Sequence, residues 1–331
     1  MIDLQRLQIG IASAMLACVA TASAEEGIEL KAQWPVGKVF TFHEETAMSQ
    51  SMAMPGLPEP MSQDMRQDQT YSISVLNETA DGGRVLQMRF ESFKITINLP
   101  GSEPMVFDST SPDQDAPHPA MQAYQHLVGA ALNIHLDGKG NVPHADGMSK
   151  VLDQMKTDGG GNAAMLEDMF SEQTVTHMYE YMFKHGLPDK AISVSDTWSS
   201  SYDMPVGALG KMSMRIDSTF TGMEEQGGRE CAAVTFSGTM SGEMEGADQL
   251  AGMRMSFKDG DIAGKRYVDP KFGLSVSSLT DLTLTAEMTM PTPGGAGQTT
   301  TMTIKQHRSM TLKGIADMAK AGAGNVESVE R

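Results

Sequence analysis

Tyr71-Ser72-Ile73-Ser74-Val75, then Asp81-Gly82-Gly83-Arg84, then Val85-Leu86-Gln87-Met88-Arg89-Phe90 spells a strand, a turn and a second strand. Tyr71, Ile73 and Val75 on one side, and Leu86, Met88 and Phe90 on the other, recur at the two-residue period of a half-buried strand. The Gly pair supplies the positive backbone angles that a tight hairpin requires. A second copy runs from Ile216 to Phe220, through Gln226-Gly227-Gly228-Arg229, to Val234 and Phe236. Similar headers precede the two copies, Val36-Gly37-Lys38-Val39-Phe40 and Val194-Ser195-Asp196-Thr197-Trp198. The repeat predicts an internally duplicated, mainly antiparallel β protein.

Outward from these hairpins, Val39-Phe40-Thr41-Phe42, Gln67–Leu76 and Arg84–Leu99 read as strands of the first half, and Met212–Thr221, Glu230–Ser237, Met253–Phe257, Lys265–Val268, Leu274–Met290 and Thr299–Leu312 as strands of the second. Pro55, Pro58 and Pro60 interrupt Met48–Met65 as a loop between strand ends. The middle changes character. Pro119–Ala131, Met148–Lys156 and Ala163–Lys184 are helix-favouring, the last with Met165, Leu166, Met169, Phe170, Met178, Tyr181 and Met182 at stripe spacing. The expected fold class is therefore α+β, a curved antiparallel sheet with a central helical segment packed on one face. Residues 25–314 form one domain in this reading: a first β repeat (25–115), a helical middle (116–191) and a second β repeat (192–314), with a disordered tail at 315–331.

Residues 1–24 have the form of a secretory signal: Arg6, an apolar run from Ile9 to Val19 too short to span a bilayer, and Ala22-Ser23-Ala24 as cleavage site. The expected location is periplasmic or extracellular. A competing reading lipidates Cys18 within Leu16-Ala17-Cys18. Cleavage after Ala24 leaves Cys231 without a disulfide partner, and its neighbours Ala232, Ala233 and Val234 place it in a core strand. No other apolar run reaches membrane-spanning length. The formal charge of −17, with scattered Lys and Arg, argues against nucleic acid.

Methionine is the unusual quantity, 29 residues. Met52 and Met54, Met212 and Met214, Met253 and Met255, and Met288 and Met290 are spaced two apart, so each pair shares a strand face. Ordinary core packing accounts for such pairs first. They also suit a face that holds a lipid-like or other apolar ligand, because unbranched thioethers repack around variable guests. The third reading is Cu(I), with Met48, Met52, Met54, Met61 and Met65 as the soft ligands.

No His-x-His occurs among the eight histidines, and His43-Glu44-Glu45 lacks the second His of a zinc-protease helix. Asp137-Gly138-Lys139-Gly140-Asn141 opens like a calcium loop but lacks its later ligands, which makes it a turn. No nucleophile elbow, phosphate loop or dinucleotide fingerprint is present, so no cofactor and no catalytic residue is expected. A hydrolase would have to gather its residues from distant loops.

The headers, the Gly-Gly-Arg turns and Tyr267-Val268-Asp269-Pro270-Lys271-Phe272-Gly273-Leu274 resemble a family of secreted bacterial proteins of unknown function, with Ser195 where that family's second header has Gly. The resemblance covers most of residues 28–312 and implies β repeats around a helical middle, with no activity. At fold level the chain is more distantly similar to periplasmic carriers of lipoproteins and lipids. The resulting expectation is an exported, non-enzymatic binding or scaffold protein of the cell envelope, with a Met-rich copper-handling protein or a hydrolase as alternatives.

Overall fold

The computed structural model describes residues 27–53, 59–111, 124–147, 186–205, 210–244, 254–290 and 298–318, together with Ser149, Val151, Asp153, Thr176 and Tyr179. The signal-like segment with Cys18, the linker beyond Ser111, most of the middle read as helical, Met54, Met253 and the tail beyond Met318 lie outside these residues.

Twelve strands make one open, curved sheet: β1 (Lys38–Ala53), β2 (Met61–Glu78), β3 (Arg84–Asn98), β4 (Met105–Asp108), β5 (Ala131–Leu136), β6 (His144–Asp146), β7 (Thr197–Pro205), β8 (Gly210–Gln226), β9 (Arg229–Met244), β10 (Arg254–Asp269), β11 (Leu274–Met290) and β12 (Gln298–Asp317). The order across the sheet is β6-β5-β3-β2-β1-β12-β11-β10-β9-β8-β7, with β4 beside β3. Every pair is antiparallel, so each half is a meander and the β1–β12 ladder joins the two. Most of these strands have 15 to 20 residues, far beyond the roughly 5–6 of a typical strand.

The two Gly-Gly-Arg stretches close hairpins. Gly227 and Gly228 have φ of 59° and 72° and form a two-residue loop between the paired Gln226 and Arg229, the geometry that only paired left-handed residues allow. The β2–β3 loop is longer, with Asn77 and Glu78 pairing Val85 and Arg84. Each Arg ties its hairpin to a neighbour. Arg84 donates from Nε to the Trp34 carbonyl at 3.1 Å, and Arg229 meets the buried Asp269 carboxylate at 2.9 Å.

The headers make the same turn twice. The Gly37 N–H donates to the Val75 carbonyl, and the Ser195 N–H to the Phe220 carbonyl, so each header is latched to the second strand of its repeat. Both residues sit in the left-handed region, Gly37 at φ 80° and Ser195 at φ 75°; among the described residues Ser195 is the sole non-glycine there.

The α+β expectation is corrected. The elements formed by the described residues are all strands, almost wholly one antiparallel sheet; α-helical backbone occurs only at the isolated positions Ser149, Val151, Asp153, Thr176, Tyr179 and Met318, and no central helical segment packs on the sheet among the described residues. Where a helix was expected up to Ala131, Tyr124–His126 make one 3₁₀ turn, Val128 bridges Phe90, and β5 begins at Ala131. Helix propensity is a weak prior; the Leu-x-Ile-x-Leu run that follows, whose alternation reads as a strand and turn over Leu132–Val142, does pair as β5, with Leu132, Ile134 and Leu136 buried against Met88, Leu86 and Arg84. Val151 and Tyr179, isolated positions from the supposed helical layer, add side chains to the main core. β12 also continues past Leu312, pairing Ile315–Asp317 with Phe40, Val39 and Lys38.

The strain at Ser195 gives a direct test. An L-residue in the left-handed region costs about 1–2 kcal/mol, of which a glycine returns part as unfolded-chain entropy. Ser195→Gly should raise unfolding free energy in urea by about 1 kcal/mol, and Gly37→Ser, whose added Cβ meets nothing within 4 Å, should lower it by a similar amount. Equal stability of both variants and the parent would contradict this reading of the headers.

Candidate functional site

The inner face of the sheet is the one onto which β1 directs Phe40, Phe42, Glu44, Thr46, Met48, Gln50 and Met52 at its two-residue period. At one end this face is an ordinary core. Phe40, Ile73, Met88 and Leu132 stand in one cross-strand row, all buried, with Trp34 edge-on to Phe40 and Phe42 stacked on Tyr71. Cys231 is buried on β9, next in sequence to Ala232 and Val234 of a separate cluster with Leu30, Ile192, Phe220 and Val268, and burial pushes its thiol upward.

Beyond that core the inner face becomes polar. Register shifts at Thr41/Phe42, Thr70/Tyr71 and Tyr267/Val268 mark the change. Glu44 and Arg308 form an ion pair at 2.6 Å across the β1–β12 seam, with Glu44 only 8% exposed and Arg308 43%. Gln69 pairs Glu44 on the next strand, Gln67 pairs Thr46, and Ser278 pairs Arg266. Arg266 donates to the Gly186 carbonyl and lies over the Phe236 ring. Burial, reinforced by the Glu44 charge and opposed by Arg308, raises the Tyr71 phenol far above its ordinary value, so it remains a neutral donor.

Past this belt the inner face is apolar again and rich in methionine. One cross-strand row reads Met212, Gly242, Phe257, Ala286, Met302, Met52, Met61. The next reads Tyr202, Met214, Met240, Gly260, Leu284, Ile304, Gln50, and a third Ile216, Gly238, Ile262, Leu282, Gln306, Met48, Met65, Ile97. Of the candidate ligand-facing residues, Met52, Met212, Met214 and Met288 thus share one face. Met255 and Met290 take strand positions opposite Met288 and Gln298. Met214 is buried, whereas Met52, Met212 and Met288 are half-buried. The apolar residues of the two arms form separate clusters, Phe93, Ile95 and Phe107 on one and Met214, Ile216 and Met240 on the other.

The copper candidates are spread along the strands. Met48 faces Met65 and Met52 faces Met61, but the two pairs lie four residues apart, about 13 Å along the strand. The described residues bring no more than two of these thioethers to one place. Other sulfurs already accept hydrogen bonds, Met302 from Gln50 at 2.9 Å, Met88 from Tyr179 at 2.9 Å and Met214 from Tyr202. The Asp137 loop is a turn: the carboxylate accepts the Lys139 and Asn141 N–H groups at 2.8 Å each.

Sequence spacing gave no sign of the Glu44–Arg308 pair, whose members are 264 positions apart. Its removal is measurable. Arg308→Met leaves the buried Glu44 without its counter-charge and should cost about 2–3 kcal/mol, less than for a fully buried pair because Arg308 is partly solvated. The double variant Glu44→Gln/Arg308→Met should recover most of that loss in the same urea titration; additive losses would show that the two side chains do not act together.

No curated protein matches the chain in sequence. Among solved structures, lipovitellin, from a study of its lipid–protein interactions, aligns over 90% of this chain at 10% identity and a TM-score of 0.44, and this chain spans only 26% of it. An outer membrane channel from Pseudomonas putida F1 aligns over 84% of this chain and 97% of its own at 6% identity and a TM-score of 0.17. A DUF1329 family protein from Desulfovibrio piger does so over 82% and 85% at 10% identity and a TM-score of 0.12. Likenesses this low carry no argument about function. The sequence profile of one family fits residues 81–275, from the first Gly-Gly turn to the start of β11. The chain belongs to that family, DUF6263, a family of unknown function.

Proposed function

We propose that this protein is an exported, non-enzymatic binding protein of the cell envelope that holds a lipid-like, apolar ligand against the methionine rows of its inner face. The observation that carries the reading is the layering of that face. A finished core at Phe40 is separated by the Glu44–Arg308 belt from a second apolar zone in which Met48, Met52, Met65, Met212, Ile262 and Leu282 stay half-buried. Apolar side chains on an ordinary core face bury fully, in one main cluster with smaller satellites. Here they remain in separate clusters on two arms, lined by side chains that adapt their shape at low cost. An elongated ligand would lie across the seam along these rows, with its polar end toward Arg308 and Gln69. Such a role needs no catalytic group. Among the described residues no helix is long and apolar enough to cross a membrane.

The copper alternative draws less from the geometry, with no more than two of the five candidate thioethers at one place among the described residues, and a hydrolase gains no catalytic constellation from it.

Native mass spectrometry of protein purified without detergent should show a population carrying lipid-sized mass that organic extraction removes. The delipidated protein should then bind a fluorescent fatty acid saturably. Met52→Asp/Met212→Asp, with a charge on each arm, should weaken that binding at least about tenfold, since burying an unpaired carboxylate against the ligand costs more than ~1.4 kcal/mol. Bare protein throughout, with no saturable uptake of the probe, would overturn the proposal.

A further inference from the structure

On the opposite face of the sheet, at the β5–β6 edge, the structure brings together three side chains that spacing alone does not connect. His135 and His144 are direct cross-strand partners, with ring centroids 5.1 Å apart. Asp146 lies two residues beyond His144 and so projects from the same face. Its Oδ2 is the common target of both rings, 2.8 Å from His135 Nε2 and 3.4 Å from His144 Nε2. The two nitrogens and the carboxylate oxygen all lie within 4.8 Å of one another. Donor atoms around a zinc ion, bound at roughly 2.0–2.2 Å in tetrahedral geometry, stand about 3.3 Å apart. The separations of 2.8 and 3.4 Å from Asp146 Oδ2 already bracket that spacing.

We propose that His135, His144 and Asp146 form a binding site for a divalent late transition metal, Zn²⁺ in the first instance. Two imidazoles and a carboxylate are the borderline donors such ions prefer, and the set differs from the thioethers of the inner face. The carboxylate is oriented by neighbours, as metal ligands commonly are. Asn133 Nδ2 donates to Asp146 Oδ1 at 2.8 Å, which leaves Oδ2 toward the rings, and Gln87 Nε2 donates to Asn133 Oδ1 at 3.2 Å. This relay crosses three strands in register, Gln87 to Asn133 to Asp146. The loop that joins the ligand-bearing strands is fixed independently by Asp137, whose carboxylate binds the Asn141 backbone and side chain.

The rings are solvent-accessible, 34% and 47% exposed for His135 and His144, so an ion can enter without unfolding the edge. Three protein donors leave at least one coordination position to water or to an external ligand. A second grouping among the described residues, His43, Glu45 and Asp68, has a single imidazole with longer separations of 3.3 and 3.7 Å. It serves as the control.

Isothermal titration of the chelator-treated full chain with Zn²⁺ tests the assignment. One saturable equivalent is expected, weakened about tenfold or more by His144→Ala and by Asp146→Asn and about tenfold by Asn133→Ala, while His43→Ala leaves it unchanged. Co²⁺ in place of Zn²⁺ should give a visible spectrum that His144→Ala abolishes, which separates ligation from a mere change in stability. Far-ultraviolet circular dichroism establishes that each variant is folded. Zn²⁺ binding that is absent, that is indifferent to His144→Ala, or that is lost instead in His43→Ala would overturn the site. Because it lies on the other face, either outcome leaves the apolar-ligand reading to its own test.

Discussion

The pairing of β1 with β12 is the contact on which the rest of the molecule depends. It takes in every residue of β1, from Lys38 opposite Asp317 to Ala53 opposite Thr301, with one register shift at Thr41/Phe42 where the ladder passes over Lys313. Without it the chain is two meanders, each with an unsatisfied edge strand that would invite pairing with another molecule. Side chains reinforce the ladder along its length: Lys38 with Asp317 at one end, Glu44 with Arg308 in the middle, and the Thr300 hydroxyl on the Ala53 carbonyl at the other. The Lys38 and Asp317 partners are 279 positions apart. Closing so long a loop costs entropy before the ladder gives anything back, so the two halves are expected to form before the seam. Every row of the inner face crosses that seam. A slip of one residue there would turn Met48, Gln50 and Met52 to the opposite face and break the rows into unrelated halves.

The layering of the inner face follows from the length of its strands. A sheet this long cannot be covered from end to end by one core, and the solution here is a full core near the headers, a hydrogen-bonded belt, and then a second apolar zone. The belt is demanding, because a half-satisfied polar network is worse than none. Placing Arg308 against Glu44 gives the buried carboxylate its counter-charge across the seam. What lies beyond the belt is apolar and adaptable, and so is suited to a guest.

Local features were legible in the sequence, and non-local ones were not. The Gly-Gly-Arg turns and the alternating runs around them are hairpin signals within a few residues, and they close β2–β3 and β8–β9. The similarity of the two headers was readable too, though only the backbone shows why glycine suits the second: Ser195 occupies a left-handed position. Over Tyr124–Ala131 the composition favours a helix, but Val128 bridges Phe90 and Ala131 pairs Arg89 on the edge of β3; only the Leu-x-Ile-x-Leu run that follows carries a local strand signal. The Met pairs predicted a shared face by period alone. Which strands bring them together depends on β1 pairing β12, and that choice is invisible locally. The same holds for His135 and His144, which look unremarkable in sequence until a hairpin with a seven-residue connection sets them opposite each other.

The central claim is that the methionine zone of the inner face is a binding surface and the Phe40 zone is not. Methyl-labelled methionine resonances report on both at once. On titration with a long-chain fatty acid, the methyl signals of Met48, Met52, Met212 and Met288 should shift together and saturably, while that of Met88, buried beside Leu132 and Tyr179, stays in place. Signals that remain unmoved across the set, or a shift confined to the exposed Met61, would contradict the account.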